Sequence, residues 1–350
     1  MMRSKTYIAT PPGATIKEQL VERNMSQKEF AVRMNMSEKH ISRLINGEVQ
    51  LTPETAMRLE MVLGLPARFW NNLESIYREK LALVQAENEM EEDIQIAKRF
   101  PYSEMAKNGW VASTRSSEEK VMNLRKFFEV VRLDIITGSS LAGINCRRLC
   151  ESEKCDYALL AWSQKAKLEA RTVSVNAINV EKLKSELPHI REMTRQNPIV
   201  FCPALSEAFS ACGIALVFLP HIGGSFLYGA TFFDGPKIVV GMTVRGKDAD
   251  RFWFSIFHEI GHIVLGHLSS EGRDTQETER EADDFAKNIL IPEDAYCSFI
   301  RSHKFDRWSI QSFADTVGID AGIVVGRLQK EGHIEFSMHN DLKTRYELVI

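Results

Sequence analysis

The chain lacks the features that mark secreted and membrane proteins. Only six of its 350 residues are cysteines, and none of them form a Cys-x-x-Cys pair. No apolar run approaches the roughly 18–20 residues that a membrane-spanning helix needs. The first residues include basic side chains but no apolar core and no small-residue cleavage site, so no signal peptide is predicted. We therefore expect a cytoplasmic protein with reduced thiols and no membrane partner.

Three cysteines lie close together in the sequence, which raises the question of a metal site. Cys146, Cys150 and Cys155 are separated by three and four residues. This spacing fits no common zinc pattern, and we predict ordinary thiols there.

The overall composition is that of a folded protein, but the charge is unevenly distributed. Hydrophobic residues make up 44% and charged residues 26% of the chain, which excludes disorder. The length predicts two or three domains. Residues 1–46 contain eight Lys or Arg and four Glu, a charge of +4, so the remainder must carry −7 to give the net −3. This asymmetry predicts that only the N-terminal part binds a polyanion.

The N-terminal part has the pattern of short amphipathic helices with defined ends. Ser26 and Ser37 are predicted to cap two of them, and Asn35 occupies the turn between these helices. Ala31 is small where two crossing helices must approach closely. The pattern predicts a helix-turn-helix motif whose second helix enters the major groove of DNA. The predicted DNA contacts are Gln27, Ser37, Lys39, His40 and Arg43.

These residues carry a family resemblance. The segment SQKEFAVRMNMSEKHISRLINGEVQLTPETAMRLEMVLGLPARFW resembles the DNA-binding domain of HigA/Xre-type repressors, which include antitoxins of addiction modules. The likeness covers about residues 10–75. It implies a double-stranded DNA operator, a homodimer on an inverted repeat, and a toxin as a possible partner.

A second motif, His258-Glu259-Ile260-Gly261-His262, has the pattern HExxH. Two histidines at i and i+4 lie on one helix face and can bind one metal ion, and the glutamate between them can act as general base. The surrounding helix is apolar nearly all round and should be buried, where unpartnered histidines would be costly. The motif therefore predicts one Zn²⁺ per chain.

The third metal ligand is predicted from the next helix, which is expected to begin at Thr278. On a helical wheel Glu279 lies about 60° from the centre of the apolar face, and Glu281 and Asp283 lie about 100° away. Glu279 is therefore the predicted ligand, with Glu281 as the alternative. Thr278 and Glu281 also fit a capping box, and Asp283 could orient a ligand histidine. His267 lies off the ligand face and is expected to be structural or to support a ligand.

These segments resemble a second family. GATFFDGPKIVV, DRFWFSIFHEIGHIVLGH and EREADDFAKNILIP are similar to the ImmA/IrrE family of zinc metallopeptidases, over about residues 200–295. The tail FADTVGIDAGIVVGRLQKEG resembles the C-terminal part of fused Xre–ImmA/IrrE proteins. The likeness implies cleavage of a partner repressor, with His258, His262 and Glu279 as ligands and Glu259 as base.

The predicted fold is mostly α with a small β-sheet. A strand is expected at 213–219, and a hairpin at 227–233 and 237–242. We expect a substrate strand to pair with the edge formed by residues 237–242. The predicted division is an all-α helix-turn-helix domain at 1–80, a helical connecting region at 81–199, an α+β zincin-like metallopeptidase domain at 200–300, and a helical C-terminal extension packed on it at 301–350.

The leading functional prediction is a DNA-binding regulator whose zinc endopeptidase domain cleaves a partner repressor or antitoxin. An HExxH motif indicates metal competence and not turnover. The alternative is therefore a non-enzymatic repressor or antitoxin whose metallopeptidase-like fold senses a ligand or binds a toxin. Tyr228 and Tyr296 are the candidates for stabilising a transition state.

Overall fold

The computed structural model describes residues 2–136, 153–223, 228–243, 248–269 and 275–346. The described residues are mostly helical with two small sheets, which confirms the predicted fold class. They form two compact units, Met1–Gln95 and Ile96–Ile350. The four-part division predicted above stays a prediction, and the cysteine cluster lies outside the described side chains. None of the described helices combines the length and the apolar composition that crossing a bilayer requires.

The described residues of the first unit form a short antiparallel hairpin and five helices, of which the fifth runs two residues past Gln95. Its elements are β1 (Met2–Arg3), β2 (Ile8–Ala9), α1 (Gly13–Glu22), α2 (Gln27–Arg33), α3 (Glu38–Asn46), α4 (Pro53–Leu63) and α5 (Ala67–Ala97). The side chains of Ser26, Ser37 and Thr52 each accept a hydrogen bond from the backbone N–H three residues on, which satisfies a free donor at the start of α2, α3 and α4. The caps predicted at Ser26 and Ser37 are therefore confirmed.

Helices α2 and α3 pack around apolar side chains in the arrangement predicted for a helix-turn-helix. Phe30 and Ile41 are fully buried between them. Asn35 adopts a φ of +53° in the turn, a left-handed conformation that asparagine tolerates. Helix α1 crosses α3 so closely that a Cβ atom at Gly13 would lie 1.9 Å from the carbonyl oxygen of Ile45. Glycine at that position is therefore a packing requirement.

The described residues of the second unit form a three-stranded sheet and ten α-helices. Its elements are α6 (Tyr102–Lys107), α7 (Ser117–Phe128), α8 (Glu153–Ala170), α9 (Val180–Glu192), α10 (Pro198–Ala211), β3 (Ile214–Phe218), β4 (Gly229–Asp234), β5 (Lys237–Met242), α11 (Ala249–Val264), α12 (Thr275–Leu290), α13 (Glu293–Arg301), α14 (Arg307–Val317) and α15 (Ala321–Lys330). The bounds of β3, β4 and β5 lie close to the strand and the hairpin predicted for this part of the chain.

The order of the strands corrects one prediction. Strand β5 pairs with β3 in parallel and with β4 in antiparallel orientation, so the sheet order is β3-β5-β4. Residues 237–242 therefore form the central strand of the sheet and not an edge. The reason is that β3, which precedes the hairpin in the chain, pairs with the side of β5 that faces away from β4. Among the described strands, β4 pairs on one side only.

Helix α8 belongs to the core of this unit, although the sequence predicts a connecting region there. The fully buried Trp162 packs on β5, where a Cβ atom at Gly241 would lie 2.5 Å from its ring. Helix α11 is buried almost throughout and packs against α12, with the Cα atom of Ala282 only 3.2 Å from a Cβ built at Gly261. This close approach brings side chains of α12 onto the HExxH helix.

Candidate metal centre and DNA-reading helix

The three predicted ligand residues come together between α11 and α12. The Nε2 atoms of His258 and His262 are 3.1 Å apart. The two oxygens of Glu279 lie 3.2 Å from Nε2 of His258 and 3.4 Å from Nε2 of His262. Both histidines are almost completely buried, whereas the glutamate side chain is partly exposed. These two nitrogens and the carboxylate oxygens therefore lie close enough together to contact a single metal ion.

This cluster fits a divalent metal ion of the size of zinc. Tetrahedral zinc with bonds of about 2.0–2.1 Å holds its ligand atoms about 3.3 Å from one another. The separations above are 3.1, 3.2 and 3.4 Å. Two imidazole nitrogens and a carboxylate are also a common catalytic zinc donor set.

The outer nitrogen of each histidine is held by another side chain. Asp283 Oδ1 lies 2.8 Å from Nδ1 of His258. His262 Nδ1 lies 3.0 Å from Nδ1 of the buried His267, whose Nε2 lies 2.9 Å from Oε2 of Glu281. With Nε2 of His262 on a metal, its Nδ1–H donates to His267, and His267 Nε2–H then donates to Glu281. These contacts fix the ring orientations that metal binding needs.

The role predicted for the start of α12 is wrong. Helix α12 begins at Thr275, so Thr278 lies inside it, buried, and does not cap it. Glu281 instead contacts His267. The capping-box prediction failed because residues 275–277, which precede Thr278, are already helical. The sequence pattern alone did not indicate this earlier start.

The charges of the cluster favour a cation. Burial lowers the pKa of His258, but hydrogen bonds to Asp283 and Glu279 outweigh that effect and raise the pKa to about 9. Burial raises the pKa of Glu279, whereas hydrogen bonds to the two histidines lower it to about 2. Metal binding at neutral pH therefore has to displace a proton from His258, because a ligating imidazole nitrogen must be free of its proton.

Glu259 contacts the sheet. Its Oε2 accepts a hydrogen bond from the hydroxyl of Thr231 on β4. A Cβ atom at Gly229, the first residue of β4, would lie 2.7 Å from its Oε1. Complete burial raises the pKa of Glu259. The sequence did not indicate Thr231, because the packing of β4 against the HExxH helix depends on the tertiary fold.

The two tyrosine candidates lie at different places. Tyr228 precedes β4 and lines a cavity that also contacts Phe254, one turn before His258. Tyr296 is buried beneath Arg327, whose guanidinium carbon is 3.6 Å from the ring centre. Tyr228 thus lies on the side of the metal cluster, and Tyr296 packs in the core of α13 and α15.

The predicted DNA contacts lie on the surface of the first unit. Gln27 at the start of α2 is exposed, as are Lys39 and Arg43 on α3. His40 is half-buried. Ser37 is exposed, and its hydroxyl caps α3. The exposed side of α3 therefore presents two cations and several hydrogen-bonding groups.

Removing the nitrogens of His267 is expected to weaken metal binding. His267→Phe keeps an aromatic ring of similar volume but leaves Nδ1 of His262 without its partner. We expect zinc affinity to fall about 10–100-fold, as is typical when a residue supporting a ligand histidine is removed. Competition with a chromophoric chelator measures the change. His189→Phe, at an exposed position on α9, is the matched control. Equal affinities of the two variants would contradict the support assigned to His267.

Comparisons with known proteins agree with both parts of the chain. The helix-turn-helix family matches residues 16–70, and the family of IrrE N-terminal-like domains matches residues 235–328. An uncharacterised HTH-type transcriptional regulator of Escherichia coli, YddM, is 41% identical over 66 residues, which are 19% of this chain and 70% of that protein. Both resemblances inferred from the sequence are thereby confirmed.

A solved structure is also similar in sequence. The addiction module antidote protein of a HigA family from Coxiella burnetii is 29% identical and covers 26% of this chain and 96% of its own. Its TM-score is 0.22, too low to relate the two folds. From the matches to the two families and to the regulator, the chain belongs to the helix-turn-helix transcriptional regulators and carries, behind that domain, a peptidase-like domain of the IrrE type.

Proposed function

We propose that this regulator is also a zinc-dependent endopeptidase that cleaves a partner repressor or antitoxin. The observation that carries the proposal is the cluster of His258, His262 and Glu279, whose ligating atoms all lie within 4.8 Å of one another. Structural zinc sites are usually closed by four protein ligands, whereas catalytic sites use three and leave one position open. The described part of the chain supplies three.

The side chains around the cluster support this proposal. Zinc bound there would supply Lewis-acid polarisation of the scissile carbonyl. Thr231 holds Oε2 of Glu259, so Oε1 is the oxygen that takes a proton from the attacking water and passes it to the leaving amine. Glycine at position 229 gives Oε1 room, because a Cβ atom there would lie 2.7 Å from this oxygen. The raised pKa of Glu259, caused by burial, brings its proton affinity closer to neutral pH, which suits a general base.

The substrate is proposed to lie along β4 and not along residues 237–242. Strand β4 is the strand next to Glu259, and among the described residues no strand pairs with its outer edge. An extended peptide added to that edge would form main-chain hydrogen bonds and pass beside the metal cluster.

Proteolysis is tested by comparing new protein N-termini in cells that make the wild-type chain or Glu259→Gln. Termini seen with the wild type alone support the proposal.

We further propose that α3 reads an operator in double-stranded DNA, as a homodimer on an inverted repeat. The exposed Lys39 and Arg43, the half-buried His40, and Ser37 at the start of α3 support this assignment, together with Gln27 on α2. Arg43 is available to DNA because its contact with Glu48, at 3.6 Å, is an exposed ion pair of little energetic value.

Neutralising the two cations of α3 is expected to weaken operator binding. Lys39→Met with Arg43→Met should reduce the slope of log affinity against log salt concentration by about 1 for each phosphate that α3 no longer neutralises. Fluorescence anisotropy with the operator duplex at several salt concentrations measures this. Lys17→Met with Lys80→Met removes two exposed charges of the same unit outside α3. If the two double variants bind equally well at matched salt, α3 is not the reading helix.

A further inference from the structure

The second unit contains a cavity of about 410 Å³ next to the metal cluster. Helix α11 lines one side with Phe254, whose ring centre is 6.4 Å from that of His258. Helix α15 also lines it, with Ile323, and Phe336 from the following segment contributes as well. The volume falls within the range of about 300–1,000 Å³ that small-molecule sites occupy.

The interior of the cavity is apolar. Phe254, Leu290, Ile291 and Ile323 line it, and three of these four side chains belong to the buried core of the unit. Phe336 also lines it, yet 71% of its surface is exposed. A large aromatic side chain at an open rim, over an apolar interior, is a typical arrangement for an organic ligand.

The charged side chains that line the cavity are mainly cationic. Arg327 and Lys343 are each 11% exposed, and the only carboxylates of the lining are Asp250 and Glu331 among the described residues. Three further cations line the cavity nearer the solvent, namely Arg251, Lys287 and Lys330. Their acidic neighbours are Asp248, Asp284 and Asp283 respectively, and none of these carboxylates lines the cavity.

One buried acceptor in the lining receives no hydrogen bond from any described residue. Asp250 is 8% exposed, and its Oδ2 lies 2.9 Å from Nζ of Lys343. Its Oδ1 is buried without a hydrogen-bond partner among the described residues. Leaving a buried acceptor unsatisfied is destabilising, and a donor on an occupant of the cavity would remove that cost. Gly326 makes room for this carboxylate, because a Cβ atom there would lie 2.2 Å from Oδ2.

From the apolar interior, the cationic lining and the unpartnered oxygen of Asp250, we infer that this cavity binds a small organic anion with an apolar body and a hydrogen-bond donor. The apolar body packs against Phe254 and Ile323. The anionic group meets the cations nearer the solvent, and the donor reaches Oδ1 of Asp250. This site is distinct from the metal cluster, and the inference does not depend on peptidase activity.

A pair of fluorescent probes tests the chemical class on the full-length chain. 8-Anilinonaphthalene-1-sulfonate has an apolar body, an N–H donor and a sulfonate, and N-phenyl-1-naphthylamine is the same molecule without the sulfonate. We expect saturable binding of about one sulfonate probe per chain, at least about fivefold tighter than the neutral probe, because two or more partly exposed cations each add a modest attraction. Equal binding, or tighter binding of the neutral probe, as expected for a cavity that takes an uncharged peptide side chain, would overturn the inference.

Substitutions of exposed or partly exposed side chains locate the site without disturbing the core. Arg251→Gln with Lys287→Gln should reduce the preference for the sulfonate about fivefold and leave the affinity for the neutral probe unchanged. Phe336→Ala should weaken both probes, whereas Trp308→Ala, which removes a 76% exposed aromatic side chain outside the cavity, should weaken neither. If Trp308→Ala has as large an effect as Phe336→Ala, the probes bind general apolar surface and the assignment is wrong.

Discussion

Glu259→Gln is expected to abolish proteolysis and to leave metal binding intact. Glutamine has nearly the same shape as glutamate, and its carbonyl oxygen can still accept the hydrogen bond that Thr231 donates. It cannot take a proton from water, and loss of a general base typically lowers the rate about 10²–10⁴-fold. Mass spectrometry of new protein N-termini, in cells that make each variant at equal level, measures the loss.

The control for this substitution removes a carboxylate elsewhere. Glu277→Gln changes an exposed glutamate on α12 and should leave the pattern of termini as in the wild type. Zinc content of purified Glu259→Gln should equal that of the wild type, because Glu259 is not among the clustered ligands. If Glu259→Gln produces the same termini as the wild type, Glu259 is not the base. If the wild type produces none, the regulator is not a peptidase and the non-enzymatic alternative holds.

Purified wild-type chain is expected to contain about one zinc ion, and His262→Ala or Glu279→Gln to contain almost none. Each substitution removes one of three ligands from a site that has no fourth protein ligand among the described residues. Loss of Glu279 also removes the anion that lies 3.2 Å and 3.4 Å from the two histidines. Elemental analysis of protein purified without added metal gives the zinc content.

Glu281→Gln is the informative control, because Glu281 is the alternative ligand. Its Oε2 contacts His267 and is therefore one residue removed from His262. Glutamine can still accept a hydrogen bond from His267, so we expect zinc to be retained. Should Glu281→Gln lose zinc while Glu279→Gln retains it, the two glutamates would have to exchange roles.

Much of the candidate site could be predicted because helices impose local periodicity. The i, i+4 spacing places His258 and His262 on one face of α11. Glu279 lies near the apolar face of the next helix, and because that face packs inward, Glu279 faces the two histidines. Asp283 lies one turn beyond Glu279, and in the structure it contacts His258. These predictions needed only the geometry of a single helix and the cost of burying charged groups.

Other features could not be predicted, because they depend on which elements meet in space. Thr231 contacts Glu259 only because β4 lies beside α11. The edge expected at 237–242 is the centre of the sheet, since the distant strand β3 pairs with β5 in parallel. Trp162 joins the core although its helix lies in a polar region of the sequence. The capping box at Thr278 failed for a related reason, because α12 starts a turn earlier.

Local patterns in the chain were enough to predict the helix-turn-helix, the caps at Ser26 and Ser37, and the clustering of His258, His262 and Glu279. Each of these follows from caps, turns and periodicities that act within about 20 residues. Three features depend on long-range packing, namely the order of the strands, the contact from His267 to Glu281, and the cavity lined by α11 and α15. These features arise where segments far apart in the chain pack together. Burial of apolar surface, which is not directional, drives that packing, so local patterns do not encode which segments become neighbours.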